Sequence, residues 1–259
     1  VLYLATAGNS RYNRRMKETM DSIAARADDC MGRGDWDGAE RIFLAALTEA
    51  EETGDRRAAL SLCSELMGFY RQRGDAEKFY PVLGRCMELL GEVRPGAAAR
   101  GTILINAATA LAAFGEAQRA LPLFREAESL YAVSLGADHP RLAALYNNMA
   151  AALDALHRPD EAERYMLRAL ENQKKRPGDL DLAVTYVNLA QHYAAQDEND
   201  ARIAACLDKA MERMDSPDAV WEYYYAHTAR KIAPALEALG RADAARDLRE
   251  RADIIYEGT

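Results

Sequence analysis

The chain has 259 residues, of which 49% are hydrophobic and 29% charged, with a formal net charge of −8 and a pI of about 5.2. This composition is typical of a folded globular protein. The acidic balance argues against nucleic acid and anionic membranes as partners, since both require clustered Lys and Arg. No apolar run reaches the roughly 18–20 residues that a membrane span needs, so we expect a soluble protein.

The cysteines indicate a reducing compartment. Cys30, Cys63, Cys86 and Cys206 form no CxxC pair and lie on apolar helical stripes. We therefore predict buried, reduced thiols in a cytoplasmic protein. The excess of Arg over Lys and the abundance of Ala are typical of a GC-rich bacterial genome.

Two positions seven residues apart, usually occupied by small side chains, recur along the chain with a period of roughly 41 residues. The pairs are Ala39/Ala46, Phe79/Cys86, Ala120/Ala127, Ala162/Ala169, Ile203/Ala210 and Ala245/Ala252. A fixed period in this range predicts an array of short structural repeats, each of which buries its apolar face against its neighbours.

Helix-breaking residues divide the array into repeats of two helices each. Gly34, Gly74, Gly115 and Gly240 stand where we expect the turn inside a helix pair, and Gly is common just after a helix end. We predict one domain over residues 1–259. Its repeats are 11–55, 56–95, 96–137, 138–178, 179–216 and 217–257.

The fourth predicted repeat is the clearest. Leu145 and Met149 belong to an apolar stripe with intervals of three and four, as on one face of a helix. Pro159 suits the first turn of a second helix. Ala162 and Ala169 are small, which allows the two helix backbones to approach closely.

These features resemble the tetratricopeptide repeat family, which combines a small residue in the first helix, a turn, and two small residues around a bulky one in the second helix. They read Ala108, Gly115, Ala120, Phe124 and Ala127 in the third repeat, and Ala150, Ala162, Met166 and Ala169 in the fourth. Residues 135–150 are similar to the kinesin-light-chain type of repeat. The resemblance implies an all-α, right-handed superhelix of about six helix pairs that binds proteins or peptides.

In that family, the first helix of each pair lines a concave groove, and the residue two before its small residue points into it. Those residues are here Ala25, Glu65, Asn106, Asn148, Asn188 and Lys231. A carboxamide both donates and accepts hydrogen bonds, so three successive Asn suit the main chain of an extended peptide. The alternative is that these Asn satisfy neighbouring helix groups. The residues expected to flank the three Asn are Asn147, Gln191, Thr109, Ser64 and Thr102, with Glu65 and Lys231 near the ends.

A second candidate surface is aromatic. Trp221, Tyr223, Tyr224 and Tyr225 cannot all face one side of a helix. We expect at least one to be exposed as an interface anchor. The alternative is that they pack the last helix pair with their polar tips in water.

The sequence contains none of the catalytic or metal-binding motifs for which we searched. His139, His157, His192 and His227 stand apart, with no zinc-ligand spacing, and no P-loop, GxGxxG or GxSxG motif occurs. We expect a protein that is not an enzyme and has neither cofactor nor metal.

The leading hypothesis is a non-catalytic scaffold that holds an extended peptide or protein segment. One alternative is a peptide-sensing regulatory receptor without its own DNA-binding domain. The other is a self-associating assembly protein that uses the aromatic segment. The sequence leaves open the ligand, the pathway and the oligomeric state.

Overall fold

The computed structural model describes residues 10–176, 180–196, 200–217 and 222–257, with side chains from residue 20 onward. This part of the chain folds into helices and contains no strand. The helices are α1 (Ser10–Gly32), α2 (Trp36–Glu52), α3 (Arg56–Arg73), α4 (Ala76–Val93), α5 (Ala97–Ala113), α6 (Ala117–Leu135), α7 (Pro140–Ala155), α8 (Pro159–Gln173), α9 (Asp181–Ala195), α10 (Asp200–Met214), α11 (Tyr223–Ala238) and α12 (Ala242–Glu257). Across these described helices, none is long and apolar enough to cross a membrane.

The chain divides into two compact units, residues 1–137 and 138–259. In unit 1, α1 packs on α2, α3 on α4 and α5 on α6, while α3 also contacts α2 and α5. In unit 2, α7 packs on α8, α9 on α10 and α11 on α12, while α9 also contacts α7, α8 and α11. Each unit is therefore a stack of three helix pairs, and the predicted all-α fold of about six pairs is confirmed. That the pairs form one continuous domain stays a prediction.

Aspartates and tight turns set the helix boundaries in unit 1. Asp35, Asp55 and Asp75 each precede a helix, and their carboxylates accept the backbone N–H three residues later at 2.8, 3.0 and 3.1 Å. Gly74, between α3 and α4, has a φ of 72°, which glycine adopts without steric cost. His157 takes the corresponding place in unit 2 with a φ of 55°. The hairpin turns thus occur where the sequence predicts them.

The small residues predicted in the second helix of the third repeat belong to the core. Ala120 and Ala127 on α6 are completely buried, as is Phe124, which stands between them in the sequence. Phe79 is the bulky exception, and it is also completely buried. The centre of its ring lies 5.0 Å from that of Phe114, so the second pair has an aromatic contact where four of the other pairs have alanine.

The predicted thiols are free within the described chain. Cys63, Cys86 and Cys206 are buried as expected, whereas Cys30 is only half-buried. Burial raises the pKa of Cys63 to about 11, so this sulfur remains a thiol at neutral pH.

A glycine in α5 makes room for a buried tyrosine, and we expect Gly101→Ala to destabilise unit 1. A Cβ at Gly101 would lie 2.7 and 2.8 Å from two ring atoms of Tyr131, which is 1% exposed. Overpacking of this kind typically costs about 1–3 kcal/mol. The gain in helix propensity over glycine recovers about 1 kcal/mol of it.

The matched control is Gly84→Ala in α4, where no atom lies within 4 Å of the added Cβ. This change should raise the free energy of unfolding by up to about 1 kcal/mol through helix propensity alone. Urea unfolding followed by circular dichroism compares the two variants. Equal stability of both would contradict the close contact between Gly101 and Tyr131.

Candidate peptide-binding face

The first helices of successive pairs contact each other in both units and form what we call the first-helix face. In unit 1, this face includes α3 and α5. Asn106 on α5 is half-buried, and its Nδ2 donates a hydrogen bond to Ser64 Oγ at 2.9 Å. Because a carboxamide has two N–H groups and an oxygen acceptor, Asn106 keeps an N–H and its Oδ1 beyond this contact.

Two residues expected to flank the groove in unit 1 are instead buried. Ser64 is 1% exposed and accepts the hydrogen bond from Asn106. Thr102 is also 1% exposed, and its hydroxyl lies 2.7 Å from that of Tyr131. The prediction that they line the groove is therefore wrong, because both side chains point into the helix packing.

The other predicted residues of unit 1 remain partly accessible. Glu65 on α3 and Thr109 on α5 are both half-buried. Burial raises the pKa of the Glu65 carboxyl, since a low dielectric disfavours the charged form.

In unit 2, the first-helix face is formed by α7, α9 and α11, and two amides meet across it. Asn188 Nδ2 on α9 donates to Asn147 Oδ1 on α7 at 3.4 Å. Asn147 Nδ2 in turn donates to Thr185 Oγ1 at 2.7 Å. Asn147, Asn148 and Asn188 are all half-buried. The predicted flanking residue Asn147 thus contacts Asn188 of the next helix pair.

Gln191 and Lys231 extend this face toward solvent. Both side chains are exposed, on α9 and α11. Partial desolvation, and then the nearby Lys231 charge, lower the pKa of His227.

A histidine–aspartate pair on the same face was missed by the sequence reasoning. His192 Nδ1 on α9 lies 2.8 Å from Asp154 Oδ1 on α7, and the His192 side chain is 3% exposed. Burial raises the pKa of Asp154, while the His192 contact opposes this shift. The sequence spacing could have indicated this pair. His192 follows Asn188 by four residues, which places both on one side of α9. Asp154 follows Asn147 by seven residues, which places both on one side of α7.

The aromatic segment divides between core and surface. Tyr225 is completely buried, whereas Tyr223 and Tyr224 are 67% and 50% exposed. The prediction of Tyr225 as an interface residue is therefore wrong, since its side chain packs inside unit 2. Tyr223 contacts the Tyr256 ring edge-on at 5.4 Å. Trp221 lies outside the described residues.

A second feature missed from sequence is a cluster that joins successive pairs away from the amides, here called the Glu–Tyr clasp. In unit 1, Glu40 is 7% exposed and accepts hydrogen bonds from Tyr70 Oη at 2.9 Å and from Lys78 Nζ at 2.7 Å. Burial, and then the bond to Glu40, raise the pKa of Tyr70.

The clasp recurs in unit 2 with the same spacing. Glu163 accepts from Tyr193 Oη at 2.7 Å and from Arg202 Nη2 at 2.8 Å. The Arg202 guanidinium also lies 3.8 Å from the centre of the Tyr193 ring. The hydrogen bond from Tyr193 lowers the pKa of Glu163. Because Glu and Tyr are thirty positions apart in both units, the clasp was detectable as a repeat-to-repeat pattern.

The described part of the chain contains no group of three or more His, Cys, Asp or Glu side chains that could hold a metal ion. The polar residues of the first-helix face offer hydrogen-bond donors and acceptors, which suits recognition of a polar main chain.

Comparisons with known proteins agree with this arrangement. Residues 99–175 match the family model described as Tetratricopeptide repeat. The structure of BtubC (BKLC) from P. vanneervenii is similar with a TM-score of 0.67 and 24% identity, over 77% of this chain and 81% of that one. The kinesin light chain TPR-like repeats from Podosopora anserina are similar with a TM-score of 0.53 and 20% identity, over 76% and 94% of the two chains. A comparison with curated protein sequences finds no match.

The family match covers the third pair and the fourth, where the small residues and the turn follow the family pattern most closely. The structural likenesses extend the same fold over about three quarters of the chain. Residues 99–175 are therefore similar to the tetratricopeptide repeat family, and the described chain shares the helix-pair repeat fold of the two solved structures.

Proposed function

We propose that this protein is a non-catalytic scaffold that holds an extended peptide or protein segment on its first-helix faces. The observation that carries this proposal is the contact between Asn188 and Asn147, which joins two successive first helices at a half-exposed site. After this bond, Asn188 retains an N–H and its Oδ1 for a ligand. Asn106 has the same capacity in unit 1.

The spacing of the helices suits such a ligand. Packed helices lie about 8–10 Å apart. An extended chain rises about 3.3 Å per residue. Successive first helices can therefore contact the ligand at about every third residue. The ligand side chains between these contacts remain free to determine specificity.

Substitution of the amides tests the proposal. The intact protein is used to select binders from a phage-displayed library of random dodecapeptides, and an enriched peptide is synthesised with a fluorescent label. We expect Asn148→Ala combined with Asn188→Ala to lower its affinity roughly tenfold or more, since each lost hydrogen bond contributes about 1 kcal/mol. Fluorescence anisotropy measures the affinity, and circular dichroism checks that the helix content is unchanged.

The matched control is Glu171→Ala, an exposed position on α8 of the same unit, which should leave the affinity unchanged. Asn106→Ala separately reports on unit 1. If no peptide is enriched, or if the double variant binds the enriched peptide as tightly as the original protein, the proposed function is wrong.

A further inference from the structure

A chain of hydrogen bonds runs from the interior of unit 2 to the amide of Asn188. Thr185 Oγ1 on α9 donates to Gln173 Oε1 on α8 at 2.7 Å, and accepts from Asn147 Nδ2 at 2.7 Å. Asn147 Oδ1 accepts from Asn188 Nδ2 at 3.4 Å. Gln173 and Thr185 are 1% and 0% exposed, whereas the two asparagines are half-buried. These hydrogen bonds therefore connect two buried side chains with the amide that we propose contacts the ligand.

The hydroxyl of Thr185 sets the direction of this chain. A hydroxyl has one proton to donate. Both acceptors within reach of that proton are internal: Gln173 Oε1 at 2.7 Å and the carbonyl oxygen of Asp181 at 3.1 Å. Thr185 must then accept the bond from Asn147, which turns Asn147 Oδ1 toward α9. Asn188 consequently donates to Asn147, and its own Oδ1 remains available as an acceptor.

Gln173 also bears a polar group that its surroundings do not satisfy. Its Nε2 is buried and has no hydrogen-bond partner among the described residues. A buried donor without a partner costs stability, so packing alone does not favour glutamine over an apolar side chain of similar length at this position. Its other atom, Oε1, is the end point of the hydrogen-bond chain.

We propose that Thr185 and Gln173 are positioning residues, which orient Asn147 and Asn188 so that Asn188 presents its carbonyl oxygen to a main-chain N–H of the bound segment. This inference rests on the proposed function, because it specifies how one amide of the binding face contacts the ligand. Neither positioning residue contacts the ligand itself, since both are buried.

The test uses the peptide enriched from the dodecapeptide library. Thr185→Val keeps the shape of the side chain but removes the hydroxyl, and should lower the affinity several-fold. Thr185→Ser restores the hydroxyl and should restore the affinity. In the Asn188→Ala background, Thr185→Val should cause no further loss, because the group that it orients is absent. Gln173→Met leaves the Asp181 carbonyl as the acceptor of the Thr185 hydroxyl, so it should lower the affinity less than Thr185→Val does and should not lower the melting temperature.

A second measurement needs no peptide. In the free protein, Thr185→Val should move the side-chain amide resonances of Asn147 and Asn188 in a nitrogen–proton correlation spectrum, while Thr185→Ser should leave them near their original positions. If these resonances do not move, the positioning role of Thr185 is wrong, whatever the result with the peptide.

The outcomes separate this inference from the proposed function. If Asn188→Ala weakens binding but Thr185→Val does not, the positioning role of Thr185 is wrong and the proposed binding function stands. If Thr185→Val lowers the peptide affinity equally in the presence and absence of Asn188, the positioning role of Thr185 is also wrong. If no peptide is enriched, both proposals fail.

Discussion

Tyr225→Ala is expected to lower the free energy of unfolding of unit 2 by about 3–5 kcal/mol, the usual effect of removing a buried aromatic ring. Tyr225 is completely buried on α11, and its hydroxyl accepts a hydrogen bond from Arg251 Nη1 at 3.1 Å. The substitution leaves a cavity between α11 and α12 and removes one partner of a guanidinium that also pairs with Asp215 at 2.6 Å. Urea unfolding followed by circular dichroism measures the loss.

The control lies two residues earlier on the same helix. Tyr223 is 67% exposed, and its ring contacts that of Tyr256. Tyr223→Ala should therefore cost about 1 kcal/mol or less. Similar losses for the two variants would contradict the division of this aromatic segment into a core residue and a surface residue.

The second large effect is expected at the Glu–Tyr clasp of unit 1. Glu40→Ala removes the acceptor of the Tyr70 hydroxyl and the shared counter-charge of Lys78 and Arg73, whose nitrogens lie 2.7 and 3.2 Å from it. We expect unit 1 to lose about 2–3 kcal/mol, since the buried tyrosine hydroxyl is left without a partner. Thermal and urea unfolding both report the change.

Two further variants establish the cause of the Glu40→Ala effect. Glu52→Ala removes an exposed carboxylate from the end of the same helix and should change the stability by no more than about 0.5 kcal/mol. In the Tyr70→Phe background, Glu40→Ala should cost less than it does alone, because the hydroxyl that it leaves unpaired is already absent. Strict additivity of the two substitutions would contradict a direct bond between these residues.

Most of the helix pattern could be predicted from local chemistry. Gly74 indicates a helix end because glycine adopts a positive φ without steric cost, and Pro159 indicates a helix start because proline fixes φ and lacks a backbone N–H. Ala120 and Ala127 indicate a close helix contact because small side chains let two helix backbones approach, and both residues are completely buried. These constraints act over a few residues, so the sequence alone expresses them.

Which side chains lie at the surface of the first-helix face was harder to predict from the sequence. Asn106, Asn147 and Asn188 were identified as candidates, and all three are half-buried on first helices. Thr102 was assigned to the same face but is buried against Tyr131, twenty-nine residues away. A spacing rule gives the direction of a side chain around its own helix, but it does not give the depth to which the neighbouring helix covers it.

The sequence by itself determined the all-α repeat, its helix pairs and the residue types able to bind a main chain, because periodic burial and helix-breaking residues act locally. Only the tertiary structure decided which of those groups are already paired. Hydrogen bonds such as those from Thr185 to Gln173 and from Asn188 to Asn147 join different helices. Their geometry depends on how the helices stack, and this follows from the packing of whole side chains rather than from any short run of the sequence.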